Sequence, residues 1–150
     1  MKLTTASLDD NGHSLVLTVR ANEQLLRLQA RVCAQVLGQT PVQELHITLG
    51  SATQLPGRLP PPPAEVQLLP EAWLVSEAGK SSVYLKLDAA SQAGLAAYVQ
   101  ALQPSSGSQG LFEADRIFHL SLTNRTGLPG DSVARIWTLP ATPLRLTVPD

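Results

Sequence analysis

Leu45-His46-Ile47-Thr48-Leu49 and Phe118-His119-Leu120-Ser121-Leu122 decide the reading of this chain. Each is a histidine, an apolar residue and a hydroxyl residue, with apolar residues on both sides. Successive side chains of a strand alternate between its two faces. His46 and Thr48 therefore share one face, and Leu45, Ile47 and Leu49 the other. His119 and Ser121 share a face in the same way. Side by side, such strands bring two imidazoles and two hydroxyls to one patch. That set suits acid–base work on a phosphodiester.

Each segment closes a strand–helix–strand unit. Residues 15–20 read as a strand, and 22–37 as a helix with Asn22 as N-cap and Gly38 as stop. Leu25, Leu28, Val32 and Val36 fall on one helical face and are expected to pack on a sheet. Thr40-Pro41 marks a turn, and the first histidine strand spans about 44–50. The second half repeats this order. Residues 83–88 are a strand and 89–102 a helix, with Asp88 as cap and Leu95, Tyr98, Val99 and Leu102 as its buried face. A small-residue loop at 104–110 leads to the second histidine strand at 116–123. Between the halves, the prolines at 60–63 read as an extended connector. Residues 65–76 hold one or two strands, interrupted at Pro70. Beyond the second motif come a turn at 127–130, Asp131 as cap of a short helix toward Trp137, and a last strand at 144–148. The expected fold is α/β in the α+β sense: one domain over 1–150, with pseudo-symmetric halves at about 1–76 and 81–150.

The composition fits a globular chain, at 43% hydrophobic and 15% charged over 150 residues. A net charge of −1 argues against a partner of long nucleic acid. A small phosphorylated ligand needs only a local basic groove. The single cysteine, Cys33, excludes an intramolecular disulfide framework, fits a reducing compartment and is expected to be packed in its helix. No stretch reads as a signal peptide or a membrane span, so the expectation is a soluble, cytoplasmic protein without a membrane partner.

Phosphodiester cleavage takes a proton from a nucleophile and gives one to a leaving oxygen. Histidine does both near neutral pH. One imidazole as base and one imidazolium as acid contribute roughly 10²–10⁴-fold each. Thr48 and Ser121 would hydrogen-bond the non-bridging oxygens. The scheme needs no metal or other cofactor. Metal ligation competes, with Glu44 two residues before His46, but the motifs supply few further ligands. The plainest alternative is a pair of unrelated strand histidines. Tyr84, Lys86 and Asp88 share a strand face; Lys86 would bind phosphate, and Tyr84 would stack on a base or donate its hydroxyl. Their first-half counterparts are Thr18 and Arg20. Arg125 is within reach of a phosphate or base edge, and Trp73 is either core or a base platform. Trp137 reads as a packing anchor, and His13, in a turn signature, as a surface residue.

Two such motifs in two strand–helix–strand halves resemble the 2H phosphoesterase superfamily. The resemblance implies a bilobal fold around a central cleft, with metal-independent chemistry at His46, Thr48, His119 and Ser121. The stretch from Phe118 through Asn124-Arg125-Thr126-Gly127, with Asp131-Ser132-Val133 beyond it, is similar to the phage anti-CBASS nucleases, which degrade cyclic oligonucleotide signals. Those proteins tend to carry a tyrosine near the N-terminus and an acid near the C-terminus. This chain has no tyrosine before Tyr84, and its one acid after Asp131 is Asp150. The resemblance implies a phosphodiesterase that opens cyclic di- or trinucleotides. A 2′,3′-cyclic phosphodiesterase or RNA-end-processing enzyme, and a non-catalytic cyclic-nucleotide binder, stay open as alternatives.

Overall fold

The computed structural model describes residues 2–10, 14–19, 23–51, 60–106 and 115–144 of the chain. His13, Arg20 and Asn22 lie outside the described residues. The elements are β1 (Lys2–Asp10), β2 (Ser14–Val19), α1 (Glu23–Leu37), β3 (Thr40–Pro41), β4 (His46–Ser51), β5 (Glu65–Glu77), β6 (Lys80–Leu87), α2 (Ala89–Ser106), β7 (His119–Asn124) and β8 (Thr142–Leu144). Two 3-10 turns, Pro129–Asp131 and Ile136–Thr138, lie between β7 and β8. No helix among the described residues is long and apolar enough to cross a membrane.

The chain is mixed α+β, and every strand pairing is antiparallel. The sheet order is β1-β2-β4-β7-β6-β5-β8, and β1 also pairs with β5, so the sheet is nearly closed. The run β1-β2-α1-β4 is matched by β5-β6-α2-β7. In the sheet the second set follows the first in reverse, so the two histidine strands meet at the middle. There Ile47 pairs with Leu120.

Side-chain alternation sorts each strand. Leu45, Ile47, Leu49, Leu120, Leu122, Val83, Leu85 and Leu87 are buried in one core with residues of both helices. Leu95, Tyr98, Val99 and Leu102 form the buried face of α2, as their spacing predicts. Asp88 caps that helix, its Oδ1 accepting the Ser91 N–H at 2.8 Å. A smaller cluster of Val75, Tyr84, Val133 and Ile136 occupies the other face of β5 and β6, with Trp73 and Trp137 against it.

Several expectations are corrected. α1 buries Leu26, Ala30, Cys33 and Ala34, whereas Leu25, Leu28 and Val36 are 38%, 40% and 63% exposed. The small residues let the helix approach the sheet closely, and the larger ones flank that contact. Thr40-Pro41 is a short strand rather than a turn, pairing with Asn124 and Thr123. Residues 65–77 are one strand; Pro70 falls within a register shift between Leu68 and Ala72. α2 runs past Pro104 to Ser106. Asp131 starts no helix: it ends the turn Pro129–Asp131 and accepts the Thr126 hydroxyl proton. Of the strand expected at 144–148, Leu144 lies in β8 (Thr142–Leu144), and residues 145–150 lie outside the described residues.

The β5–β6 hairpin carries a local strain that can be relieved. Glu77 pairs with Lys80, leaving Ala78 and Gly79 as a two-residue loop with φ of 50° and 84°. That loop needs left-handed backbone at both positions, which glycine and asparagine adopt more readily than alanine. Ala78→Asn is expected to stabilise the fold by about 0.5–1 kcal/mol, read as a higher urea midpoint at constant slope. An unmoved midpoint would mean that the hairpin tolerates alanine without strain.

Candidate active site

β4 and β7 bring His46, Thr48, His119 and Ser121 to a single cavity of about 390 Å³. Gln43, Glu44, Arg116, Ser132 and Arg135 also line it. Thr18 lies opposite His46 on β2, and Lys86 opposite His119 on β6. Thr18 is thus the counterpart of Lys86, and Val16, opposite Thr48, is that of Tyr84, opposite Ser121.

Both rings are anchored alike. His46 Nδ1 lies 3.1 Å from the Glu44 carbonyl oxygen, and His119 Nδ1 lies 3.0 Å from that of Ile117. A carbonyl only accepts, so Nδ1 carries the proton in each neutral ring. Nε2 is left with its lone pair for the cavity. This shared geometry follows from the matched motifs: each ring turns back onto the residue two before it.

The environment of His119 is distinctive. Its ring meets Tyr84 edge-on, with centroids 5.3 Å apart. Burial lowers its pKa to about 4, the bond to Ile117 opposes that shift, and the charges of Arg116 and His46 add to it. His119 is therefore neutral at pH 7. The unfolded chain, with a histidine pKa near 6.5, takes up this proton first. Stability from the neutral ring is complete above about pH 6.5 and is lost as the pH falls toward 4. At about 1.36 kcal/mol per pKa unit, and allowing for solvent in the cavity, the loss is on the order of 2 kcal/mol. Urea unfolding of the native chain and His119→Phe between pH 7 and 4 measures it; equal slopes for both would remove His119 as the cause.

A loop after β7 forms the opposite wall. Asn124 is fully buried and holds this loop through its amide. Its Nδ2 donates to the Leu128 carbonyl at 2.8 Å and to Ser132 Oγ at 3.0 Å, and its Oδ1 accepts from the N–H groups of Thr126 and Gly127. Ser82 Oγ accepts the Val133 N–H at 2.7 Å. Gly127 has φ +82°, and a Cβ there would lie 2.7 Å from the Pro41 carbonyl oxygen. Only glycine permits this approach of the loop to the segment before β4.

The remaining sequence-derived candidates lie elsewhere. Tyr84 is 2% exposed, covered by Val133 and Ile136, so it packs on His119 and presents no surface for a base. Lys86 Nζ sits 4.3 Å from the centre of the Trp73 ring, and neither lines the cavity. Trp73 packs against the smaller cluster. Arg125 Nη1 donates to the Gly79 carbonyl at 2.6 Å, anchoring the hairpin away from the cavity. The cavity instead draws its arginines from Arg116 and Arg135, which sequence reading passed over. Arg116 stands three residues before His119, where Gln43 stands before His46, and this matched polar position was the available signal. The Arg116 guanidinium lies over Trp137 at 4.8 Å. Arg135 adopts a left-handed backbone, φ 52° and ψ 48°, unusual for a side-chain-bearing residue and a form of strain that clusters at ligand sites.

No protein-family model, curated protein or solved structure matches this chain.

Proposed function

We propose that this protein is a two-histidine phosphodiesterase, a 2H phosphoesterase by class. The observation that carries the reading is the paired anchoring of His46 and His119 across one cavity, each with Nε2 left for chemistry. The matched halves support the bilobal arrangement of that class. Its proposed substrate is a cyclic di- or trinucleotide, as for nucleases that disarm cyclic-oligonucleotide immunity, and a buried free Cys33 suits cytoplasmic work.

The neutral, low-pKa His119 is the base, and His46 is the acid. Where a ribose 2′-hydroxyl flanks a 3′–5′ linkage, His119 Nε2 removes its proton. The 2′-oxygen bonds to phosphorus, the bond to the 5′-oxygen breaks, and His46, entering the step as the imidazolium with its second proton on Nε2, gives that proton to the departing oxygen. The product is a 2′,3′-cyclic phosphate and a 5′-hydroxyl. Thr48 and Ser121 donate to the non-bridging oxygens, and Arg116 and Arg135 offset the phosphate charge.

A second reading, hydrolysis of 2′,3′-cyclic phosphates on mononucleotides or RNA ends, draws on cavity size. About 390 Å³ lies near the lower end of the roughly 300–1,000 Å³ of small-molecule sites. One nucleotide fills such a space, and the rest of a larger ring lies outside it. The test is incubation with cyclic dinucleotides, cyclic trinucleotides and 2′,3′-cyclic mononucleotides, with products read by mass spectrometry. Opened rings bearing 2′,3′-cyclic phosphate support the first reading. Turnover of the mononucleotides alone supports the second, and turnover of none overturns both.

A further inference from the structure

We infer that Gln92 is a positioning residue for His119, acting through the peptide unit that joins Ile117 to Phe118. The inference rests on the acid–base role proposed for His119. Gln92 projects from the first turns of α2 and makes two hydrogen bonds to the segment before β7. Its Nε2 donates to the Arg116 carbonyl at 2.8 Å, and its Oε1 accepts the Phe118 N–H at 2.8 Å. The Phe118 N–H and the Ile117 carbonyl belong to one peptide unit. That carbonyl takes the bond from His119 Nδ1. A continuous chain thus runs from the Gln92 amide through a peptide to the imidazole.

Two consequences follow from elementary chemistry. Holding the N–H end of a peptide polarises its carbonyl and strengthens the bond accepted there. Gripping Arg116 and Phe118 together also fixes Ile117 between them, and with it the direction of its carbonyl. Both effects hold the proton at Nδ1 and the lone pair at Nε2. A side chain that fixes the tautomer of a catalytic histidine usually acts on the ring directly. Here a peptide unit intervenes.

The first half provides the comparison. Arg27 of α1 grips the segment before β4, donating to the carbonyls of Val42 at 2.6 Å and Gln43 at 2.9 Å. The acceptor of His46 is the next carbonyl along, that of Glu44. Arg27 fixes the course of the segment without holding the N–H of the peptide that contacts the ring. Among the described residues this relay is seen at His119.

The test uses Gln92→Leu, Gln92→Glu and Ser91→Ala in the full chain. Ser91 Oγ accepts the Gln67 N–H at 2.8 Å, so its loss breaks a neighbouring helix-to-strand bond that does not touch the relay. Gln92→Leu is expected to lower kcat about 10–100-fold with KM unchanged, the usual scale for such supporting bonds. The ring ¹⁵N shifts of His119 should lose their Nδ1–H pattern in the same variant. Gln92→Glu keeps an acceptor for the Phe118 N–H but loses the donor to the Arg116 carbonyl, so it should disturb that pattern less than Gln92→Leu does. Ser91→Ala should change neither readout. A native ¹⁵N pattern in Gln92→Leu overturns the inference, as does a lost pattern in Ser91→Ala. The ¹⁵N readout needs no turnover. An altered ring in Gln92→Leu, in a protein inactive on every phosphodiester, would leave Gln92 as the positioning residue and remove the phosphodiesterase reading alone.

Discussion

His46→Ala and His119→Ala are each expected to lower kcat by roughly 10²–10⁴-fold, the contribution of one positioned acid or base. Neither ring belongs to the main core, whose residues on these strands are Ile47, Leu49, Leu120 and Leu122. Both variants should therefore keep the native far-ultraviolet spectrum and a cooperative unfolding transition. His119→Ala also gives up an edge-on contact with Tyr84, so it should be the less stable of the two. Thr48→Ala and Ser121→Ala should cost less in rate, because a phosphate oxygen bound beside Arg116 and Arg135 retains other donors. The double histidine variant should be scarcely slower than either single one, since acid and base act in one concerted step. A histidine variant turning over near the native rate would exclude that residue from the mechanism.

The meeting of the four motif residues at one cavity was legible because strand alternation is local. His46, Thr48, His119 and Ser121 share a cavity, and Ile47 and Leu120 share the core, as a period of two requires. The Asp88 cap and the buried face of α2 were legible for the same reason: one residue or one stripe decides each. α1 was misjudged because two apolar stripes lie side by side on it, offset by one residue. Leu25, Leu28 and Val36 outweigh Ala30, Cys33 and Ala34 in hydrophobicity, yet the smaller set makes the close contact. The fate of Tyr84 could not be read locally. Its strand face was correct, but Val133 and Ile136, some fifty residues on, cover that face. Arg116 and Arg135 were missed because tertiary folding brings them to the cavity and no local period marks them. Arg125, adjacent to the second motif, is drawn instead to the hairpin carbonyl of Gly79. Adjacency in sequence to the second histidine strand thus did not bring Arg125 to the cavity, and strand register alone did not bring Lys86 there either.

The second large effect concerns the substrate's sugar. Cleavage of a cyclic dinucleotide is expected to survive excess EDTA and to disappear when the 2′-hydroxyls are replaced by hydrogen. Survival in EDTA follows from the assignment of each task to a side chain. In the proposed mechanism His119 and His46 move the two protons, and Arg116 and Arg135, which line the same cavity, offset the phosphate charge. The Nδ1 atoms of both histidines are tied to backbone carbonyls, which leaves Nε2 for the proton transfers proposed. The demand for a 2′-hydroxyl follows from proximity. A hydroxyl on the carbon next to the 3′-oxygen is already held near phosphorus, and effective molarities for well-oriented neighbours reach about 10⁵–10⁸ M. Water must instead be bound and aligned, and His119, with its pKa near 4, is too weak a base to activate it well without that advantage. The assay compares a cyclic diribonucleotide with its 2′-deoxy counterpart, each in EDTA and each with magnesium. Loss of at least about a thousandfold in the deoxy compound is expected, a small part of the available proximity term. Equal cleavage of both compounds would make water the nucleophile. Loss of turnover in EDTA with recovery in magnesium would overturn the two-histidine mechanism, because a metal ion would then be carrying a task assigned here to the imidazoles and arginines.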